Sequence, residues 1–291
     1  MEAYLDNSAT TRCSKAAADM VYKLLTEDYG NPSSLHMKGV EAENYINDAK
    51  KKIAKTLRVQ DKEILFTSGG TESNNTAIIG AAMANKRAGR HIITSSVEHA
   101  SVLSVMQFLE EQGFEITYLP VNHDGVISVE ELKNAVREDT ILVSLMHVNN
   151  EIGAVMPIEE AGAAIKEKNP AALFHVDAIQ SYGKLEIRPK RMNIDMLSVS
   201  GHKIHGPKGI GVMYIRKGVK IRSFIHGGAQ ERQRRAGTHN VPGIVGIGKA
   251  AELASENMDK IMKQESELRD YMIKRVLDEI PYTCLLYTSD A

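Results

Sequence analysis

Short apolar runs of strand length alternate with stretches of helical period along most of this chain, and that alternation narrows the fold more than any other feature. Residues 64–67, 91–95, 115–119, 141–147, 173–177, 196–199 and 212–215 read as strands, most of them predominantly apolar and 212–215 apolar throughout. Runs that are apolar on both faces belong to buried sheets. Helical spacing covers 14–28, 38–57, 73–88, 100–112, 128–136, 157–168 and 241–277. Ser128 with Glu131 forms a capping-box pattern, and Pro157 suits a first helical turn. Strands separated by helices predict an α/β fold, a mostly parallel sheet flanked by helices on both faces. Residues 3–5 read as one further short strand.

Ligands of such sheets gather beyond the carboxyl ends of the strands, and four polar clusters fall there. The first is Gly69-Gly70-Thr71, a strand–glycine turn–helix arrangement that offers backbone N–H groups to a phosphate. It lacks the Gly-Lys-Ser/Thr of a Walker loop and the spacing of a dinucleotide fingerprint. The second is Glu98-His99-Ala100-Ser101, whose histidine is either a helix cap or an aromatic-stacking, proton-moving group. In the third, His175-Val176-Asp177-Ala178-Ile179-Gln180, an aspartate at a buried strand end needs a partner. A pyridinium nitrogen is one such partner, and a helix cap is the plainer alternative. The fourth is Ser200-Gly201-His202-Lys203, followed by a Gly-Pro turn. A partly desolvated lysine near other cations loses its proton readily and forms Schiff bases, while Ser200 and His202 are placed to hold a phosphate beside it. A phosphate cradle, a stacking histidine, a pyridinium partner and a Schiff-base lysine are the parts of a pyridoxal 5'-phosphate site. The competing reading is a metal site built on His175-x-Asp177 and His202-x-x-His205. It leaves Lys203 and the glycine turn unused and matches no standard zinc spacing, so no metal is expected.

Composition bounds the partners. Lys and Arg total 36 against 37 Asp and Glu, a net charge of −1, which argues against nucleic-acid or membrane partners. The two cysteines, Cys13 and Cys284, form no disulfide framework and suit a reducing cytoplasm. No basic n-region and apolar h-region open the chain, and no apolar run has membrane-spanning length. After Pro281 the composition breaks from the preceding helix, so the last residues are expected to be non-native and the chain to be truncated at its C-terminal end.

The clusters, taken together, resemble a known family. Residues 4–11 (Tyr-Leu-Asp-Asn-Ser-Ala-Thr-Thr), 30–34 (Gly-Asn-Pro-Ser-Ser), 67–74 (Thr-Ser-Gly-Gly-Thr-Glu-Ser-Asn), Glu98-His99, 147–153 (His-Val-Asn-Asn-Glu-Ile-Gly), 175–180, 200–203, 227–232 and 235–238 look like those of a cysteine desulfurase. The resemblance runs from residue 4 to about 280. It implies a class V aminotransferase-like, fold type I homodimer that takes sulfur from L-cysteine, giving alanine and an enzyme-bound persulfide. It implies a large cofactor-binding domain over 13–257, and an incomplete small α+β domain from 1–12 and 258–291. On the same resemblance Lys203 carries the cofactor, Asp177 pairs the pyridine nitrogen and Gln180 contacts the ring hydroxyl. His99 stacks on the ring and moves protons, and Asn150 lies beside cofactor and substrate. Gly70, Thr71, Ser200 and His202 hold the phosphate, joined by Thr238 across the dimer. The implied sulfur acceptors are iron–sulfur scaffold proteins and tRNA-thiolation enzymes. The family's nucleophilic cysteine and carboxylate-gripping arginine lie further along than residue 291, and neither Cys13 nor Cys284 matches the nucleophile's motif. Two other readings are a related pyridoxal phosphate lyase or aminotransferase, and a non-catalytic fragment that only dimerises or binds partners.

Overall fold

A computed structural model describes residues 3–284. Its strands are β1 (Ile64–Thr67), β2 (His91–Ser95), β3 (Glu115–Leu119), β4 (Thr140–Met146), β5 (Leu173–Asp177), β6 (Met196–Ser200) and β7 (Gly211–Ile215). The helices are α1 (Lys15–Thr26), α2 (Met37–Leu57), α3 (Gly70–Asn85), α4 (Ala100–Glu111), α5 (Val129–Ala135), α6 (Ile158–Lys168) and α7 (Val241–Glu279). The strands form one seven-stranded sheet in the order β1-β7-β6-β5-β4-β2-β3. Only β7 runs against its neighbours. The link from β6 to β7, residues 201–210, holds only a single 3₁₀ turn and is too short for the helical crossover that a parallel pair needs. The mostly parallel sheet expected from the alternation is borne out.

The period of two along each strand sorts the core into two layers. Leu65, Ile92, Leu142, Met196, Met213 and Ile215 face α3 and α4. Their neighbours Phe66, Ile93, Val143, Leu197, Val212 and Tyr214 face the opposite layer, built from α1, α2, α5, α6 and α7. Both faces are covered, so a register slip by one residue would exchange one fully formed core for the other. Ser128 caps α5 by accepting from the Glu131 N–H at 3.3 Å. α7 is a single helix whose first part, Val241 to Ala251, carries its buried residues. Further along, Leu268, Tyr271, Met272 and Leu277 are exposed.

Two expectations need correction. Residues 3–5 form no strand. Tyr4 and Leu5 are 52% and 77% exposed, so the run has no core to cover. The segment instead turns at residues 7–9 and lays its backbone against the end of β6. Helix α3 begins at Gly70 rather than at residue 73, because Glu72 reaches back to the Ser68 N–H at 2.8 Å and caps that first turn. The glycine turn is thereby the helix N-terminus itself. Its backbone is also pressed from behind: a Cβ on Gly211 would lie 2.7 Å from Gly69 carbons, so β7 needs glycine at that position. The composition break after Pro281 runs into residues 285–291, which lie outside the described residues.

Candidate active site

Parallel strands bring their carboxyl ends to one edge of the sheet. Beyond β1 stand Gly70 and Thr71, beyond β2 His99 and beyond β4 Asn150; Asp177 ends β5 with Gln180 after it, and Ser200 ends β6 with His202 and Lys203 after it. All nine line one cavity of about 490 Å³, together with Asp6, Ser8 and Ser101. That volume suits a cofactor-sized ligand. Thr238 alone among the expected site residues does not line it.

Asp177 forms the floor. Its carboxylate accepts from the Asn74 side-chain amide at 2.7 Å and from the Ile179 N–H at 3.0 Å. Burial still pushes its carboxyl up, because these neutral donors and the more distant His99 and Lys203 do not offset full desolvation. The Asn74 amide also donates to Ser101 Oγ at 2.9 Å. Ser101 Oγ is 2.9 Å from His99 Nδ1, and the Ser101 backbone N–H donates to the same nitrogen at 3.1 Å. His99 is thus the N-cap of α4, the plainer of the sequence's two alternatives, and it also lines the cavity.

Lys203 stands on a 3₁₀ turn after β6. Its ammonium donates to the Ser8 carbonyl and, at 3.0 Å, to that of Ala9. Thr11 locks the same turn, since its N–H and its hydroxyl both donate to the His202 carbonyl at 2.8 Å. Burial, and secondarily the nearby Lys184, hold the Lys203 amine below the ordinary lysine range. Gln180 donates to the Ser8 carbonyl at 2.9 Å, which leaves its second amide hydrogen for a ligand. Asn150 rests on a tight loop pinned by Asn149, whose Oδ1 accepts from the N–H groups of Glu151 and Ile152 at 2.9 and 3.1 Å. The first-turn N–H groups of α3 open toward this space, a ready anion site. Gly70 lies so close to Ile179 that a Cβ would sit 2.2 Å from its Cδ1.

His175 takes no part. Burial drives it down to about 3 and so keeps it neutral; its ring nitrogens bond Ser144 and Ser198 at 2.8 and 2.9 Å, so one serine hydroxyl already takes its lone pair. Sequence reading gave no role to Asn74, Ser101, Ser8 or Glu98. Asn74 had a signal: it falls one turn before Ala77 and Ile78 on a buried helix face, where an amide needs a polar partner. Ser8 had none, because it acts through its backbone carbonyl.

Glu98 is enclosed beside this site. Its Oε1 accepts from Ser95 Oγ at 2.6 Å and from the Met146 N–H at 3.0 Å, while Oε2 is buried without a partner. Burial pushes the carboxyl from 4.5 up to about 8, with Asp177 adding to the rise. The folded chain therefore holds this proton where the unfolded chain releases it. Glu98 stabilises the fold below pH about 4.5, and that contribution falls as pH rises through about 8. The loss is on the order of a few kcal/mol. Glu98→Gln keeps the two accepted bonds and should flatten this part of the stability–pH curve. Urea unfolding at several pH values measures it, and equal slopes for variant and wild type would refute the assignment.

The class-V aminotransferase family matches residues 3–291. A cysteine desulfurase IscS from Methanosarcina thermophila is 53% identical over 282 residues, covering 97% of this chain and 69% of that protein. The chain belongs to the cysteine desulfurase branch of the class-V aminotransferases. Another IscS, from Dictyoglomus turgidum, is 51% identical across 94% of this chain and 69% of its own length. Among solved structures, a NifS-like protein superposes with a TM-score of 0.94 at 44% identity, covering 96% of this chain and 76% of that one. SspA in complex with cysteine gives 0.83 at 43% identity, over 86% and 72%. Enzymes of this branch depend on pyridoxal phosphate, and the residues here fit that group. A buried carboxylate lacking a cation, a helix N-terminus without side-chain bulk at Gly70 and a lysine of lowered basicity surround one cavity.

Proposed function

We propose that this chain holds pyridoxal phosphate in the cavity above Asp177 and binds L-cysteine there, as the cofactor-binding part of a cysteine desulfurase whose complete reaction gives alanine and a persulfide. The observation that carries the reading is the placement of Asp177 and Lys203 on one cavity, at the ends of adjacent strands β5 and β6. When bound, the cofactor supplies an electron sink for charge developing on an amino acid. The chain's own residues do the rest. Asp177 holds a proton on the ring nitrogen. The Lys203 amine, lowered by burial, attaches the cofactor and takes up or returns a proton at the substrate carbon. His99 covers the ring, and Gln180 turns its free amide hydrogen to the ring oxygen. Gly70, Thr71, Ser200 and His202 bind the phosphate, and Asn150 lies beside the substrate.

Thr238 is assigned to the cofactor phosphate of a second copy. Its segment is tied down by Arg235 to Glu72 at 2.9 Å, and by Glu231 to Lys50 at 2.8 Å and to His239 at 3.1 Å. An exposed threonine on so firmly held a segment suits a contact in trans. The proposed sulfur acceptors are iron–sulfur scaffold and tRNA-thiolation proteins, and the proposed compartment is the cytoplasm. No described helix is long and apolar enough to cross a membrane. The proposed large domain is 13–257, with 1–12 and 258–291 contributing to a small one. The passage of α7 from buried to exposed supports that boundary.

Sulfur abstraction needs a thiolate beside the substrate sulfur. Neither Cys13 nor Cys284 lines the cavity, and burial raises the Cys13 thiol further from its reactive form. L-Cysteine added to the loaded 291-residue chain is therefore expected to change the visible spectrum without catalytic release of alanine and sulfide. Absorbance and alanine assays test this, with Cys13→Ser and Cys284→Ser behaving as wild type. A loaded chain whose spectrum ignores L-cysteine would sink the substrate assignment. Repeated turnover by a chain carrying both substitutions would overturn the argument about the thiols.

A further inference from the structure

We propose that Asn74 and Ser101 are positioning residues that lock His99 as the tautomer with its proton on Nε2, so that the histidine presents a hydrogen-bond donor, and no lone pair, to whatever occupies the cavity. The reasoning starts at Asp177. Its Oδ2 is 2.7 Å from the Asn74 amide, and two facing acceptors at that distance repel, so the amide nitrogen of Asn74 faces the carboxylate. The same nitrogen is 2.9 Å from Ser101 Oγ, and its two hydrogens are thereby both in use. Asn74 Oδ1 is left buried without a partner, a cost that the fold bears to keep this orientation.

Ser101 Oγ accepts from Asn74, so its own hydrogen is free for His99 Nδ1 at 2.9 Å. The Ser101 backbone N–H, a group that only donates, meets the same nitrogen at 3.1 Å. Two donors converging on Nδ1 require a lone pair there, and the ring proton sits on Nε2. Among the described residues Nε2 has no hydrogen-bond partner, which leaves it as the one ring nitrogen available to a ligand. Asn74 is fully enclosed, so water does not compete for its amide, and Ser101 is largely buried beside it. The matching ligand chemistry is an electron-rich oxygen or sulfur. Proton uptake during the reaction then falls to Lys203. This narrowing of the His99 role rests on the proposed function above; the tautomer itself does not.

The test is nitrogen NMR of the full chain labelled with ¹⁵N-histidine, with and without pyridoxal phosphate, the His99 signals identified by their loss in His99→Gln. Wild type should show a pyridine-type Nδ1 and a pyrrole-type Nε2. Ser101→Ala should mix the tautomers, and Ser101→Thr, which restores a hydroxyl, should return the wild-type pattern. Thermal melts confirm that each variant is folded. A wild-type ring protonated at Nδ1, or already an equal mixture, would overturn the proposal. A folded Ser101→Ala with the wild-type pattern would remove the hydroxyl and Asn74 from it. A chain that binds no pyridoxal phosphate yet shows the Nε2 proton would support the tautomer and refute the cofactor reading instead.

Discussion

Lys203→Ala is expected to abolish the yellow colour of the loaded protein while leaving the fold intact. The amine is half-buried, and burial with the nearby Lys184 holds it below the usual lysine range. The folded chain therefore gains little from this charge, and the apo variant should stay folded, melting lower only by what the bonds to the Ser8 and Ala9 carbonyls contribute. What is lost is the chemistry. The bonds to the Ser8 and Ala9 carbonyls aim the amine into the cavity, and no other lysine lines it. Loss of the proton-transferring group alone removes roughly 10²–10⁴ in rate, and loss of covalent attachment adds to this. Borohydride treatment of wild type followed by peptide mass analysis should place the reduced cofactor on Lys203. A yellow alanine variant, or a label found on Lys184, would refute the assignment.

The second large effect is expected at Asp177. Asp177→Asn replaces a buried carboxylate by a neutral group of the same shape, whose single carbonyl oxygen can keep the bond from Asn74 or from the Ile179 N–H but not both. Burial disfavours the charged form of this carboxyl, which offsets the lost bond, so the apo variant should stay folded. With the cofactor bound the balance reverses. Removing one partner of a buried ion pair costs about 3–5 kcal/mol, which corresponds to a slowing of about 10²–10⁴-fold in reaction with amino acids. Stopped-flow absorbance measures the rate and a thermal melt the stability. Variant rates equal to wild type would show that Asp177 does not serve the ring nitrogen.

Both outcomes depend on residues that local sequence features expose unevenly. The strands were legible because runs such as 142–146 are apolar on both faces, and helices lie between them. The places of Asp177 and Lys203 were legible because polar groups at the ends of such buried runs need a partner, and the carboxyl edge of a parallel sheet is where ligands gather. The network behind them was not. Asn74 meets Asp177 across 103 residues and Ser101 across 27, and such pairings leave no local pattern. Residues 3–5 misled because a three-residue apolar run carries no information about whether a sheet edge awaits it. The backbone acceptors of Ser8 and Ala9 were invisible in principle, since every residue has a carbonyl.

The anchoring of Lys203 on the N-terminal segment has a consequence for biosynthesis. Ser8 and Ala9 are made 195 and 194 residues before the lysine they orient. At ribosomal speeds the opening segment waits roughly 10–40 s for its counterpart to emerge. During that time the carbonyls of Ser8 and Ala9 have no ammonium to accept from, and the N–H of Thr11 has no His202 carbonyl to meet. Assembly of the pocket is thus a late event of high contact order. An affinity tag fused ahead of residue 4 would bear directly on the step that completes it, whereas a tag at the other end would not.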